Sequence, residues 1–256
     1  MKIILKYDGS FEGFLTAVFE VYEQKIECPS IEASQRFAEN LFDAIEVIYT
    51  DEAKAKRVYN GLIPFCKSSG LLTMYRAFLS EQQGIEDALL HLIMRSLSEK
   101  KAVLTDYSDP YILRIAKTVK MVDREKHRMD AFIRFQLTKD GLYFATVEPD
   151  FNVLPLLIGH FKKRYADQRW LIYDIKRNFG LHYDLNNVDT VVLNDKPLSI
   201  NGAKNALIFS EKELAFQSLW KCYFDSTNIK ERKNMKLHLQ HVPRRYWKFL
   251  SEKFIN

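Results

Sequence analysis

Periodicity along this chain predicts an α+β protein, mostly helical, with an antiparallel ββαββ core in the C-terminal part and a small strand–helix N-terminal part. Three observations carry that expectation. Apolar residues recur at helical spacing through most of the first 129 residues. The period then drops to two, with Ala131, Ile133, Phe135 and Leu137 alternating with Phe132, Arg134 and Gln136. Beyond them, turn residues such as Lys139-Asp140-Gly141 cut the chain into runs of strand length.

In order, residues 1–7 read as a short strand, and Asp8-Gly9-Ser10 turns the chain with Ser10 placed to cap a helix. Phe11, Phe14, Leu15, Val18, Phe19 and Tyr22 give that helix its apolar stripe. Residues 46–50 look like a second strand, and Thr50 or Asp51 caps the helix that follows to about Cys66. Ser68-Ser69-Gly70 interrupts before another helix over 71–80, and 85–97 is amphipathic again. Pro110 suits a first helical turn, and Ile112, Ile115, Ala116, Val119 and Val122 extend that helix to about Met129. A hairpin around Gly141 then pairs 131–137 with 142–148. A helix over 153–166, strands at 170–176 and 179–183, a short strand at 190–193, and helices at 211–224 and 243–253 complete the reading. The junction at 82–84 divides an N-terminal α/β module, 1–82, from a C-terminal α+β domain, 83–256.

Charge is divided unevenly. Residues 1–100 carry 11 Lys/Arg against 15 Asp/Glu, whereas 101–256 carry 27 against 18. The basic part holds two knots, Lys162-Lys163-Arg164 with Arg169, and Lys230, Arg232, Lys233, Lys236, Arg244, Arg245 and Lys248. Phe161, Tyr165, Trp170, Tyr246 and Trp247 lie among them, and cations mixed with flat rings suit a polyanion that carries bases. Nucleic acid, with DNA favoured, is therefore the expected partner, and no membrane is, because no apolar run approaches the length of a spanning helix. Three scattered cysteines argue against a disulfide framework and for the cytoplasm. Neither a Gly-rich phosphate loop, nor a G-x-S-x-G elbow, nor cysteine spacing for zinc or iron–sulfur occurs, so neither cofactor nor metal is expected.

Candidate site residues fall in five stretches of the chain. His127 and Arg128 precede Phe132 and Arg134, which on strand spacing share a sheet face suited to stacking and phosphate contact. Glu148-Pro149-Asp150 ends a strand, where Asp150 can cap the next helix and Glu148 is left as an acid/base candidate. His160 precedes Lys162, Lys163 and Arg164 late in a helix. Trp170, Arg177, Arg232, Lys233, Arg244, Arg245, Tyr246 and Lys248 complete the nucleic-acid set, with base stacking on Phe132 or Trp170. If the protein is itself an enzyme, His127, Glu148 and His160 are the acid/base candidates, acting on a damaged base or nucleotide.

Segments along the whole chain carry a resemblance. Tyr7-Asp8-Gly9-Ser10-Phe11-Glu12-Gly13-Phe14-Leu15, His127-Arg128-Met129, Glu148-Pro149-Asp150, Trp170-Leu171-Ile172-Tyr173-Asp174 with Arg177, and Pro243-Arg244-Arg245-Tyr246-Trp247-Lys248 are similar to a bacterial family described as DNA metabolism or DNA repair proteins. The part from about residue 83 resembles a domain of unknown function that also occurs fused to uracil-DNA-glycosylase-like proteins. The resemblance implies a DNA-binding accessory to a separate radical-SAM protein. The Cys-x3-Cys-x2-Cys set of a radical-SAM enzyme is absent, as are Gly-Gln-Asp-Pro and His-Pro glycosylase motifs.

Overall fold

The computed structural model describes residues 3–37, 43–193, 219, 235–250 and 253. The class is mixed α and β, with two sheets. The chain divides into two compact units, Met1–Asp123 and Arg124–Asn256, so the junction expected at 82–84 falls inside the first unit. There it joins two helices that pack on each other.

In the first unit, β1 (Ile3–Tyr7) is the central strand of a parallel sheet, flanked by β2 (Pro29–Ala33) and β3 (Ala44–Val47). Helix α1 (Phe11–Glu23) is the crossover from β1 to β2, and Ser10 caps it by accepting from Gly13 N–H at 2.9 Å. Asp51, rather than Thr50, caps α2 (Glu52–Phe78), accepting from Ala53 N–H at 2.8 Å and Lys54 N–H at 3.1 Å. The expected interruption of this helix is a single break at Lys67, whose φ of 54° leaves the helical region. β2 went unforeseen because Pro-Ser-Ile-Glu-Ala has little pattern of its own; pairing with β1 makes it a strand.

Phe11, Phe14, Tyr75 and Phe78 close an aromatic cluster between α1 and α2. Helix α3 (Ile85–Glu99) is tied to the sheet by polar groups: Asp87 accepts from Ser30 Oγ and from Ile31 N–H at 3.0 Å, and the buried Glu86 carboxylate accepts from Tyr7 Oη at 3.1 Å and from Arg36. Burial raises the pKa of both Tyr7 and Glu86, with Arg36 opposing it at each.

Helix α4 (Pro110–Phe132) starts at Pro110 as expected, with Asp109 accepting from Tyr111 N–H at 2.8 Å. It continues to Phe132, past the expected stop near Met129. The second unit holds its last turns and a five-stranded sheet of order β4-β5-β6-β7-β8. Its strands are β4 (Gln136–Leu137), β5 (Tyr143–Val147), β6 (Trp170–Asp174), β7 (Phe179–Tyr183) and β8 (Val188–Val191). The sheet is mixed rather than antiparallel. α5 (Leu154–Arg164) returns the chain across the sheet, so β6 lies parallel to β5, while the other neighbours pair antiparallel. Phe161 of α5 packs its ring against Phe135 and Trp170, and Trp170 packs on Tyr183. After the segment outside the described residues, which includes the expected helix at 211–224, the chain closes with α6 (Met235–His241) and a 3₁₀ helix, Arg244–Phe249.

Two expected outcomes test this packing. A Cβ on Gly180 would stand 2.8 Å from the Ile172 carbonyl oxygen and 2.8 Å from the Tyr173 ring. Gly180→Ala should therefore lower unfolding stability by about 1–3 kcal/mol in urea titrations. The hydrogen bond from Lys54 holds the Glu20 carboxyl below its ordinary pKa of 4.5, against some desolvation. Its stabilisation is thus complete above that value and fades as pH falls through the lower folded pKa. Glu20→Gln should lower Tm at neutral pH and converge with the parent in strong acid.

Candidate nucleic-acid interface

The C-terminal turns of α4 present two different faces. One is buried and built around Glu125, which is 1% exposed. Its carboxylate accepts from the Tyr246 hydroxyl, from Asp150 N–H at 2.9 Å and from Arg245 at 3.3 Å, with Arg128 3.6 Å away. Four groups from three segments therefore converge on one buried charge, which repays its desolvation only while they are all in place. Burial, followed by the neighbouring Glu125 carboxylate, pushes the Tyr246 phenol well above its ordinary pKa and keeps it a donor.

The same contacts clamp Glu148-Pro149-Asp150. Asp150 does not cap α5, which begins after Val153 without a side-chain cap; its carboxylate instead pairs with Arg245 at 2.6 Å. Glu148 pairs with Lys248. Arg177 donates to Asp174 at 2.8 Å, to the Pro149 carbonyl at 3.1 Å and to the Asp150 carbonyl at 3.1 Å. Asp174 is fully buried, and its burial raises its pKa in spite of Arg177. Arg177, Arg245 and Lys248, expected at a phosphate strand, thus each pair with a carboxylate of the same unit, the Arg245–Asp150 and Lys248–Glu148 pairs at the surface.

The other face of α4 is open. Arg124, His127, Arg128 and Ala131 stand at i, i+3, i+4 and i+7 on one helical side, and with Phe132 they form one wall of a groove of about 500 Å³. Gln240, His241 and Val242 at the end of α6 form the other wall. The Trp247 indole donates to the Val242 carbonyl at 3.0 Å, fixing that wall to the 3₁₀ helix that also carries Arg245 and Tyr246. Phe132 tilts on Tyr246 at 48°, ring centres 5.5 Å apart. No carboxylate lines the groove among the described residues, and Arg124 has no ionic partner among them.

The remaining expected residues are scattered. Phe132 and Arg134 do not share a sheet face, because α4 runs through Phe132; the Arg134 guanidinium instead donates to the Ala131 carbonyl at 2.7 Å, at the end of that helix. Trp170 and Tyr246, at 0% and 1% exposure, are core rings, so base stacking on Trp170 is excluded by its burial. Lys162 donates to the Asn186 carbonyl at 2.6 Å, Arg164 lies over the Tyr165 ring, and Lys163 is exposed. None of these three meets a carboxylate among the described residues. Arg244 lies 6.0 Å over Trp247. His160 packs on its neighbour Phe161 and, like Glu148, is not part of the groove's described lining, so only His127 of the acid/base candidates stands there. Arg232 and Lys233 lie outside the described residues.

Sequence reasoning missed Arg124, Gln240 and His241 as groove residues and Glu125 as the buried centre. The signal for Arg124 was present: it stands three and four residues before His127 and Arg128, inside the helix expected to run to about Met129. Nothing local in the sequence marks Glu125 as buried.

Among the described residues no cluster of His, Cys, Asp and Glu suits a metal ion, and no helix is long and apolar enough to cross a membrane. Fold and site together define a mixed α/β protein whose second unit, with 23 Lys/Arg against 15 Asp/Glu, bears a cationic groove lined partly by rings. A family model described as DUF4130, a domain of unknown function, matches residues 83–252, more than half of the chain, and the chain belongs to that family. No curated protein matches it.

If Glu125 centres the second unit, Glu125→Ala should cost about 3–5 kcal/mol of unfolding free energy, because Arg245 and the Tyr246 hydroxyl lose their buried acceptor. Tyr246→Phe should cost less, about 1–3 kcal/mol. Urea unfolding followed by tryptophan fluorescence measures both.

Proposed function

We propose that this protein binds a nucleic-acid strand, with DNA favoured, through the groove between α4 and α6. The observation that carries the reading is the groove's lining: two arginines, two histidines and a phenylalanine, with no carboxylate among the described residues. Phosphates are neutralised by guanidinium groups, and exposed bases need a flat apolar surface; the groove offers both within one concavity. Arg124 and Arg128 take the phosphate contacts, with Lys162, Lys163 and Arg164 as a second cationic patch on α5. Because Arg128 also neighbours Glu125, Arg124 is the stronger phosphate contact.

The resemblance of the chain's segments to DNA metabolism and repair proteins gives this binding a setting: an accessory in the cytoplasm that holds DNA for a separate radical-SAM enzyme. The alternative, direct chemistry on a damaged base by His127, Glu148 and His160, has less support. Only His127 stands in the groove, and Glu148 is engaged by Lys248.

Fluorescence anisotropy of the full chain with labelled DNA at two salt concentrations tests the reading. Binding should weaken steeply as salt rises, and Arg124→Ala should weaken it several-fold and flatten the logarithmic salt slope by about one. Absent binding at low salt, or binding indifferent to salt, would contradict it.

A further inference from the structure

We infer that the groove holds one unpaired base of a single strand, stacked on Phe132 and met at its edge by Gln240. The inference rests on the nucleic-acid reading above and specifies what the groove accepts. Three features of the groove lead to it. Its volume, about 500 Å³, lies within the range of about 300–1,000 Å³ that suits a small ligand group. Its aromatic wall is a side chain already steadied from behind: Phe132 leans on Tyr246, which is held by Glu125. A ring immobilised in this way loses little freedom when a base stacks on it.

The third feature is the polar group opposite. Gln240 is exposed, lines the groove and makes no hydrogen bond among the described residues. Its amide offers a donor beside an acceptor, the complement of an adenine edge. Arg124 and His127, likewise without polar partners among the described residues, stand at the same groove for the flanking phosphates. Paired bases inside a duplex keep their faces stacked on each other, so a base can meet Phe132 only when it is unpaired or turned out of the helix. The groove therefore selects single strands, or duplexes with a base already loose, over intact duplex.

Anisotropy titrations of the full chain with four probes test this: an oligo-dA strand, an abasic strand of equal length, a blunt duplex of the same sequence, and an acidic peptide as competitor. The oligo-dA strand should bind about tenfold or more tighter than the abasic strand or the duplex. Phe132→Ala should remove most of that difference, and Phe132→Trp should restore it, which separates loss of the stacking surface from loss of folding. Gln240→Ala should narrow the preference for oligo-dA over oligo-dT while leaving the salt slope unchanged. Equal, salt-sensitive binding of the abasic and oligo-dA strands would overturn the base site and leave strand binding standing. Tighter binding of intact duplex, or displacement by the acidic peptide as effective as by DNA, would also overturn it. No binding of any DNA probe would overturn both readings.

Discussion

One buried carboxylate holds the second unit in register. Glu125 sits on the covered side of α4 and gathers the Tyr246 hydroxyl, the Arg245 guanidinium and the Asp150 backbone N–H. An ion at 1% exposure is stable only with such a complement of donors, so the α4 end, the turn after β5 and the closing 3₁₀ helix must arrive together. That requirement builds the groove. α4 supplies one wall from its open side, and the chain just before the 3₁₀ helix supplies the other. The first unit uses the same chemistry independently: buried Glu86 accepts from Tyr7 and Arg36 and ties α3 to the parallel sheet. A phenol and a guanidinium on one carboxylate satisfy its lone pairs with donors that differ in reach and geometry.

This chemistry also changes what the positive charge of the sequence means. A dense run of Lys and Arg reads as a surface awaiting an anion. In the structure, however, Arg177, Arg245 and Lys248 are neutralised by Asp174, by Glu125 with Asp150, and by Glu148, respectively. All three contact the Glu148-Pro149-Asp150 turn. Among the described residues, Arg124 beside the groove and Lys163 and Arg164 on α5 meet no carboxylate. Formal charge overstates the free positive surface, because an ion pair formed within the fold contributes little field outside it.

Much of the architecture was legible in local pattern. Ser10 as a cap, Pro110 as a helix start and β7 at Phe179–Tyr183 follow from side-chain chemistry within a few residues. What escaped depended on distant partners. β2 became a strand only by pairing with β1, and β6 runs parallel to β5 because α5 carries the chain back across the sheet. The alternation of 131–137 suggested a strand where α4 in fact continues to Phe132, and that one error moved Phe132 from an imagined sheet face to the wall of the groove. Trp170 shows the same gap: a ring among cations reads as a stacking surface, yet it is fully buried and packs against Phe161, Tyr183 and Phe135. Three of the groove's residues, His127, Arg128 and Phe132, are nevertheless legible in the sequence as candidates.

Photo-crosslinking a DNA strand carrying iodouracil to the full chain, with adducts mapped by mass spectrometry, tests the central claim most directly. The account predicts adducts on residues 124–132 and 240–242, concentrated at Phe132 and His127. Adducts confined to the Lys162-Lys163-Arg164 patch, or to the Met1–Asp123 unit, would contradict it.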